Sequence, residues 1–180
     1  MPQKTRFSND LSQGKRNQQD QSTLLIAALA AVLGILPALY RWTVRALLRR
    51  NLRHLREGDL EPLFSTYADD IRFVFPGKNS WAGEFRGKDE VKRWVRRVSQ
   101  VGLRLEPHEM LVAGPPWDTT FALRFTDRCT APDGTVVYAN RGMFFGKIVW
   151  GKITYYEIHE DTEKVVALDE YLESHERTGL

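Results

Sequence analysis

Two alternating runs joined by a short turn constrain the fold of this chain more than any other feature. In the run 119–130, apolar residues occupy every second position from Phe121 to Cys129 with the exception of Asp127, which predicts a strand with one buried face. The run 135–145 predicts a second strand. The residues between the two runs include Pro-Asp-Gly, which suits a hairpin turn because proline fixes φ and glycine accepts a positive φ. The chain therefore contains an antiparallel hairpin with a face that must be covered.

The elements around this hairpin follow from the same periodicities. Apolar residues three or four apart predict a helix over 43–57, a short helix begun by Asp59, a helix begun at 87–89 and a closing helix capped by 161–162. Further strands are predicted over 70–75, 103–113 and 147–156, the last with a bend or bulge at 150–151. Helices followed by antiparallel strands indicate an α+β domain over 43–176. A curved sheet wrapped around helices would leave a ligand cavity between the two layers.

An uncharged segment precedes this domain. No charged residue lies between Asp20 and Arg41, and the apolar run 24–40 would be roughly 25 Å long as a helix, close to the thickness of a bilayer core once its uncharged flank is added. A cleaved signal peptide and a buried soluble helix are the alternatives, but the run ends in a poor cleavage site and has no polar face. We therefore expect a transmembrane anchor over 22–41 after a disordered tail over 1–21.

The charges that flank the apolar run predict its orientation. Only Lys15 and Arg16 closely precede the run, whereas a series of arginines follows it. These are Arg41, Arg45, Arg49, Arg50, Arg53 and Arg56. The positive-inside rule therefore predicts a single-pass membrane protein with its folded domain in the cytoplasm.

Composition and motifs argue against several classes of function. The net charge is only +3, and the basic face near Trp94 is more typical of a solvated helix than of a nucleic-acid interface. The single cysteine, Cys129, excludes an intramolecular disulfide and a cysteine-based zinc site. The sequence has no glycine-rich phosphate loop, nucleophile elbow or H-E-x-x-H pattern. We therefore expect no metal, no cofactor and no nucleic-acid partner.

Asp127 is the candidate catalytic residue. The alternation that runs from Phe121 to Cys129 places Asp127 on the apolar face of its strand, where desolvation raises a carboxyl pKa and suits a general base. The alternative is a carboxylate near the strand end that is solvated or bonded to the hairpin backbone. Asn140, on the partner strand, could add a donor and an acceptor beside it, or could be a buried amide satisfied by backbone.

Other residues are candidates for lining the pocket. Tyr138 and His159 could each present a polar tip, although a lone histidine is more often a satisfied structural group. Aromatic residues could form the walls and the mouth, although each could equally pack in the core. These are Phe73, Phe75, Trp81, Trp117 and Phe125.

The strings GDLEPLFSTYADDIRFVFPG, WAGEFRGKDEVKRWV and WGKITYYEIHEDTEKV, with the hairpin between the last two, resemble SnoaL-like domains. These domains belong to a superfamily of cone folds that also includes nuclear transport factor 2 and ketosteroid isomerase. The resemblance covers roughly residues 45–174 and implies a cone-shaped, mixed but mainly antiparallel sheet. It implies less about function, because the superfamily contains enzymes, binding modules and assembly domains.

Known activities of this superfamily can be compared residue by residue. The resemblance to ketosteroid isomerases places Phe75 where their catalytic aspartate stands and Asn51 near their tyrosine, so neither group of that mechanism is present. The resemblance to limonene-type epoxide hydrolases keeps Asp127. Their arginine and second aspartate are replaced by Phe125 and Ile158.

The resemblance to SnoaL-type polyketide cyclases would place Glu157 or His159 near the acid that those enzymes carry in their late strands. We expect a membrane-tethered SnoaL-like domain whose pocket takes a small apolar or lipid-derived molecule. The domain either binds that molecule or performs acid–base chemistry on it with Asp127. The alternative is a non-catalytic interaction domain. A homodimer is expected in either case.

Overall fold

The computed structural model describes residues 34–176 of the 180-residue chain. By its contacts the chain divides into two units, residues 1–40 and 41–180. Of the first unit, residues 34–40 are described, and they are helical. The second unit contains the α+β domain that the sequence predicts.

The domain has four helices and six strands within its described residues. The helices are α1 (residues 41–57), α2 (Leu60–Ser65), α3 (Lys88–Val101) and α4 (Thr162–Glu176). The strands are β1 (Tyr67–Phe75), β2 (Gly83–Arg86), β3 (Arg104–Ala113), β4 (Thr119–Thr130), β5 (Val136–Val149) and β6 (Lys152–Glu160).

The strands form one mixed sheet in the order β2-β1-β6-β5-β4-β3. β1 and β6 run parallel, and the other neighbouring strands run antiparallel. The long hairpin of β4 and β5 therefore lies inside the sheet, and β3 pairs with β4 as the edge strand. This arrangement confirms the predicted mixed, mainly antiparallel sheet of an α+β domain.

Two details of the sheet differ from the sequence prediction. The predicted boundary between the last two strands lay at residues 145–147, whereas β5 continues to Val149 and the chain turns at Trp150 and Gly151. Both turn residues have positive φ, which matches the right-handed twist of adjacent strands in a two-residue turn. β2 was not predicted, because its four residues are too few to show a clear alternation.

The core lies between the inner face of the sheet and the helices. Ile71 and Phe73 of β1 are fully buried, as is Val91 of α3. Trp94 of α3 packs on the same strand, with its ring centroid 4.5 Å from that of Phe73. Apolar residues spaced three or four apart thus form the face of each helix that covers the sheet.

The prediction of a membrane location is wrong. No helix within residues 34–176 is long and apolar enough to cross a membrane. Within the second unit, Val44 and Leu48 of α1 are buried in the domain core. Most of the predicted anchor over 22–41 and the whole predicted tail over 1–21 lie outside the described residues.

Two glycines of β5 leave room for the bulky side chains of neighbouring strands to lie over its backbone. A Cβ atom on Gly146 would lie 2.5 Å from the Phe121 ring and 2.6 Å from the carbonyl oxygen of Tyr155. A Cβ atom on Gly142 would lie 2.6 Å from both the Phe125 ring and Cγ of Glu160. The inner face of the sheet can therefore hold large aromatic side chains on neighbouring strands only because β5 has no side chain at these positions.

Gly146→Ala should lower the free energy of unfolding by about 1–3 kcal/mol, because backbone as well as a ring must move to admit the methyl group. Gly83→Ala on the short strand β2 is the matched control, since the added carbon would meet only the Phe85 ring, at 3.1 Å. Urea unfolding of both variants measures the difference. Equal losses in the two variants would contradict the close approach at Gly146.

Candidate functional site

A cavity of about 130 Å³ lies between the inner face of the sheet and helices α1, α3 and α4. Apolar side chains make most of its wall, among them Leu123 of β4, Phe144 of β5 and Ile158 of β6. The cavity is not closed on all sides. Several residues that line it are half-buried, among them Leu52 and Leu55 of α1 and Leu103 and Leu105 around the start of β3.

Asp127 is an acidic residue in the cavity wall. It is 4% exposed, and its Oδ1 atom has no hydrogen-bond partner among the described residues. Burial and, to a smaller extent, the nearby carboxylate of Glu160 raise the pKa of this carboxyl to about 7, while a backbone hydrogen bond at Asp127 and the Lys164 ammonium oppose the shift. Asp127 therefore exchanges a proton near neutral pH, as a group that both accepts and returns protons must.

A hydrogen-bonded network occupies the wall beside Asp127. In the register of β4 and β5, Asn140 lies directly opposite Asp127. The Tyr138 hydroxyl donates to Oε2 of Glu160 at 2.7 Å and accepts from Nδ2 of Asn140 at 2.9 Å. The same Nδ2 lies 3.0 Å from the carbonyl oxygen of Asp161. These bonds hold the Glu160 carboxyl toward the cavity, which it lines.

Burial and neighbouring charges shift the pKa values of the Tyr138 hydroxyl and the Glu160 carboxyl. Burial raises the pKa of the Tyr138 hydroxyl well above its ordinary value, and the charges of Glu160 and Asp127 raise it further, so the hydroxyl remains a donor. Burial also raises the pKa of Glu160, although the bonds from Tyr138 and Asn140 oppose that shift. With Glu160 held by two donors, Asp127 is the carboxyl of the pair that is left to exchange a proton with a ligand.

Two further polar residues of the wall come from other elements. Asn51 of α1 is 4% exposed, and Trp81, in the loop between β1 and β2, is 3% exposed. Oδ1 of Asn51 and Nε1 of Trp81 have no hydrogen-bond partner within residues 34–176. The helix side and the sheet side of the cavity thus each include a residue with a buried polar atom that has no partner among the described residues.

The predicted pocket residues fall into three groups: those at the cavity, those in the core beside it, and those away from it. Phe75, Trp81, Tyr138 and Asp127 line the cavity, and Asn140 supports it through Tyr138. Phe73 and Phe125 are fully buried but do not line the cavity. Phe73 stacks on Tyr156 and Phe125 contacts Phe144, so both belong to the core.

Trp117 and His159 lie away from the cavity, contrary to expectation. Trp117 is 60% exposed and contacts Trp150 at one end of the sheet. His159 points to the outer face of β6, where it lies 3.2 Å from Glu157. In β6 the inward positions are Tyr156, Ile158 and Glu160. The resemblance to polyketide cyclases pointed to Glu157 or His159, which lie three positions and one position before Glu160, the acid that faces inward.

Glu160 could have been found from the period of the strand, since it continues the inward series of Tyr156 and Ile158. Asn51 was noted only as a replacement for a tyrosine and was not named as a pocket residue. No group of three or more potential metal ligands occurs within residues 34–176.

The comparisons with known proteins agree with this architecture. The family model of the SnoaL-like domain matches residues 48–156, so the chain belongs to the SnoaL-like domain family. No curated protein sequence matches the chain.

Solved structures share the fold at low sequence identity. An NTF2-like protein of unknown function from Burkholderia pseudomallei is 23% identical with a TM-score of 0.60, over 69% of this chain and 95% of that one. TerC co-crystallised with polyporic acid is 24% identical with a TM-score of 0.56, over 67% and 95%. Bal32a from a soil-derived mobile gene cassette is 16% identical with a TM-score of 0.57, over 72% and 96%.

Asp127→Asn should change how stability depends on pH. Because the folded-state pKa of about 7 lies above the ordinary value of 3.8, the folded protein holds a proton that the unfolded chain has released, and the stability that this proton contributes is lost as pH rises toward 7. Between pH 5 and pH 8 the free energy of unfolding should therefore fall by about 2–3 kcal/mol more in the wild type than in the variant. Urea unfolding at both pH values measures this difference.

Asp70→Asn is the matched control, because Asp70 is an exposed carboxylate on β1. It should keep the pH dependence of the wild type. If Asp127→Asn kept it as well, the carboxyl of Asp127 would not be buried as described.

Proposed function

We propose that this SnoaL-like domain binds a small, uncharged, mainly apolar molecule in its cavity and uses Asp127 for proton transfer on that molecule. One observation carries the proposal: Asp127 is a buried carboxyl in an apolar wall, and its Oδ1 atom has no partner among the described residues. Burial of an unpaired carboxyl destabilises a fold. A bound molecule that used this atom would offset the cost.

The size of the cavity limits the ligand. An apolar cavity of about 150 Å³ holds a benzene molecule, so the cavity of about 130 Å³ here suits roughly one ring. Larger substituents would extend past the half-buried residues of its wall toward solvent. The neighbouring carboxyls of Asp127 and Glu160 would repel an anionic ligand, which favours an uncharged one.

The proposed chemistry needs a single group that takes and returns a proton. The Asp127 carboxylate accepts a proton from a carbon next to a carbonyl group: the C–H bond breaks, an O–H bond forms on Asp127, and the electron pair moves to the carbonyl oxygen. Asp127 then returns the proton to the same or another carbon. A pKa of about 7 leaves the carboxyl able to act in both directions at neutral pH. TerC, which shares the fold, was crystallised with polyporic acid, and this supports a small-molecule ligand.

Deuterium exchange into phenylacetone, a one-ring ketone, tests both parts of the proposal. The wild-type chain in D₂O should accelerate exchange at the methylene group, with a rate that rises as pH passes about 7 because the ionised form of Asp127 is the base. Asp127→Asn should slow this exchange by at least about 100-fold, whereas Asp70→Asn should leave it unchanged. NMR follows the exchange, and a separate NMR titration measures binding.

The two measurements separate the parts of the proposal. Binding of phenylacetone without any exchange would remove the acid–base role of Asp127 and leave a binding domain. Exchange that persists in Asp127→Asn would assign the chemistry to another group.

A second candidate function, a non-catalytic homodimeric interaction domain, is favoured by the outer face of the sheet. Leu111, Ala122 and Phe145 lie side by side across β3, β4 and β5 in register. They share the face of the exposed Arg124, which is opposite to the cavity. Leu111 is 69% exposed, whereas Ala122 and Phe145 are half-buried, so this apolar row is partly open to solvent in the described part of the domain.

Phe145→Glu should shift a dimer to the monomer, because it would place two like charges in an apolar contact. Sedimentation velocity at several protein concentrations measures the change, with Arg124→Gln on the same face as the control. A monomeric wild type would contradict the interaction role of this face and leave the cavity proposal untouched.

A further inference from the structure

Two unpartnered atoms in the cavity wall point to the polar groups of its ligand. Oδ1 of Asn51 is an acceptor and Nε1 of Trp81 is a donor, and neither has a hydrogen-bond partner within residues 34–176. Both side chains line the cavity and are at least nine-tenths buried. Neither atom belongs to the network of Asp127, Tyr138 and Glu160 described above.

The orientation of the Asn51 amide is set by its neighbour. The Thr66 hydroxyl donates to the carbonyl oxygen of Leu63 at 2.7 Å, so it can only accept from Asn51. Nδ2 of Asn51 makes this bond at 2.8 Å. The amide nitrogen must therefore face Thr66, and the oxygen of the amide is the atom that remains without a partner.

Trp81 is held in place by contacts that leave its own N–H unused. The Arg97 guanidinium lies over its ring, 3.8 Å from the centroid, and the Trp94 ring meets it nearly at a right angle. Nε1 of Trp94 donates to the backbone oxygen of Trp81 at 3.0 Å. The indole N–H of Trp94 is thus satisfied, whereas that of Trp81 is not.

A buried amide oxygen and a buried indole N–H destabilise a domain when they have no hydrogen-bond partner, whereas apolar residues of similar shape would not. We propose that Asn51 and Trp81 are the specificity residues of the cavity, and that the ligand is an uncharged one-ring compound with both a hydroxyl group and a carbonyl group. The hydroxyl donates to Oδ1 of Asn51, and the carbonyl oxygen accepts from Nε1 of Trp81. This inference rests on the proposed function only in that the cavity binds a ligand.

Four one-ring probes separate these two contacts. Toluene has neither group, phenol has the donor, benzaldehyde has the acceptor, and 4-hydroxybenzaldehyde has both. At pH 6, NMR titration of the full chain should give the tightest binding for 4-hydroxybenzaldehyde and the weakest for toluene. Each matched group should contribute about a tenfold change in Kd.

Trp81→Phe keeps a ring under Arg97 and removes the N–H. It should weaken the binding of benzaldehyde and 4-hydroxybenzaldehyde about tenfold and leave phenol and toluene unchanged. Equal Kd values for benzaldehyde in the wild type and in this variant would overturn the role of Trp81.

Asn51→Leu should weaken the binding of the two hydroxyl compounds about tenfold. Thr66→Val is its matched control, because both variants lose the bond between Asn51 and Thr66, but only Asn51→Leu loses the amide oxygen. Equal losses in the two variants would show that Asn51 acts only through the fold, and would overturn its role.

The outcomes also separate this inference from the proposed function. If all four probes bind the wild type with the same Kd, the specificity residues are wrongly assigned and the cavity proposal stands. If none of the probes binds, the cavity proposal fails, and this inference fails with it.

Discussion

The register between β4 and β5 is the constraint on which the cavity depends. Because side chains alternate along a strand, a shift of β4 by one residue would move Asp127 to the outer face and bring Arg128 inward. The same shift of β5 would move Tyr138 and Asn140 to the outer face. Twelve paired positions from Thr119 to Thr130 fix this register. The bare backbone of β5 at its glycines admits the large rings of the neighbouring strands, so the inner face can be both continuous and densely packed.

The buried acidic network is stable because most of its polar atoms have hydrogen-bond partners, and only one of its two carboxyls has a buried oxygen without one among the described residues. Glu160 receives two hydrogen bonds, and the Tyr138 hydroxyl is both donor and acceptor, so these groups are compensated for their burial. Asp127 lacks such bonds at Oδ1, and its carboxyl takes up a proton near neutral pH to reduce the cost of desolvation. The uncompensated cost of burial therefore falls on Asp127, which lines the apolar cavity.

Periodicity in the sequence predicted the elements of the fold and part of the site. Alternation predicted that Asp127 lies on the apolar face of its strand. Asn140 and Tyr138 were predicted as possible neighbours on the partner strand, because the turn between the two strands is clear from the residues. The end of β6 was misplaced, because the predicted strand stopped at residue 156, whereas β6 continues to Glu160 with the same alternation. Its start was misplaced because the turn at Trp150 and Gly151 is not visible in the alternation. Trp117 illustrates the opposite limit: an aromatic residue in a loop has no periodicity that could tell core from surface. The apolar segment before the domain was interpreted from its composition alone, and only its last residues, from 34 on, lie in the described part of the chain.

Protonation of Asp127 and occupation of the cavity must be linked in both directions. A ligand that removes water from the wall without donating to the carboxyl favours the neutral acid, and it raises the pKa as it binds. A ligand that donates to the carboxyl favours the ionised form and lowers the pKa. A carboxyl with a pKa of about 7 in the empty domain lies between these two cases. The ligand that binds therefore also decides whether Asp127 is an acid or a base when the proton moves. For proton removal from carbon the carboxylate is required, so a productive ligand must place its polar groups on other atoms of the wall and leave the ionised Asp127 oxygen free to meet the C–H bond.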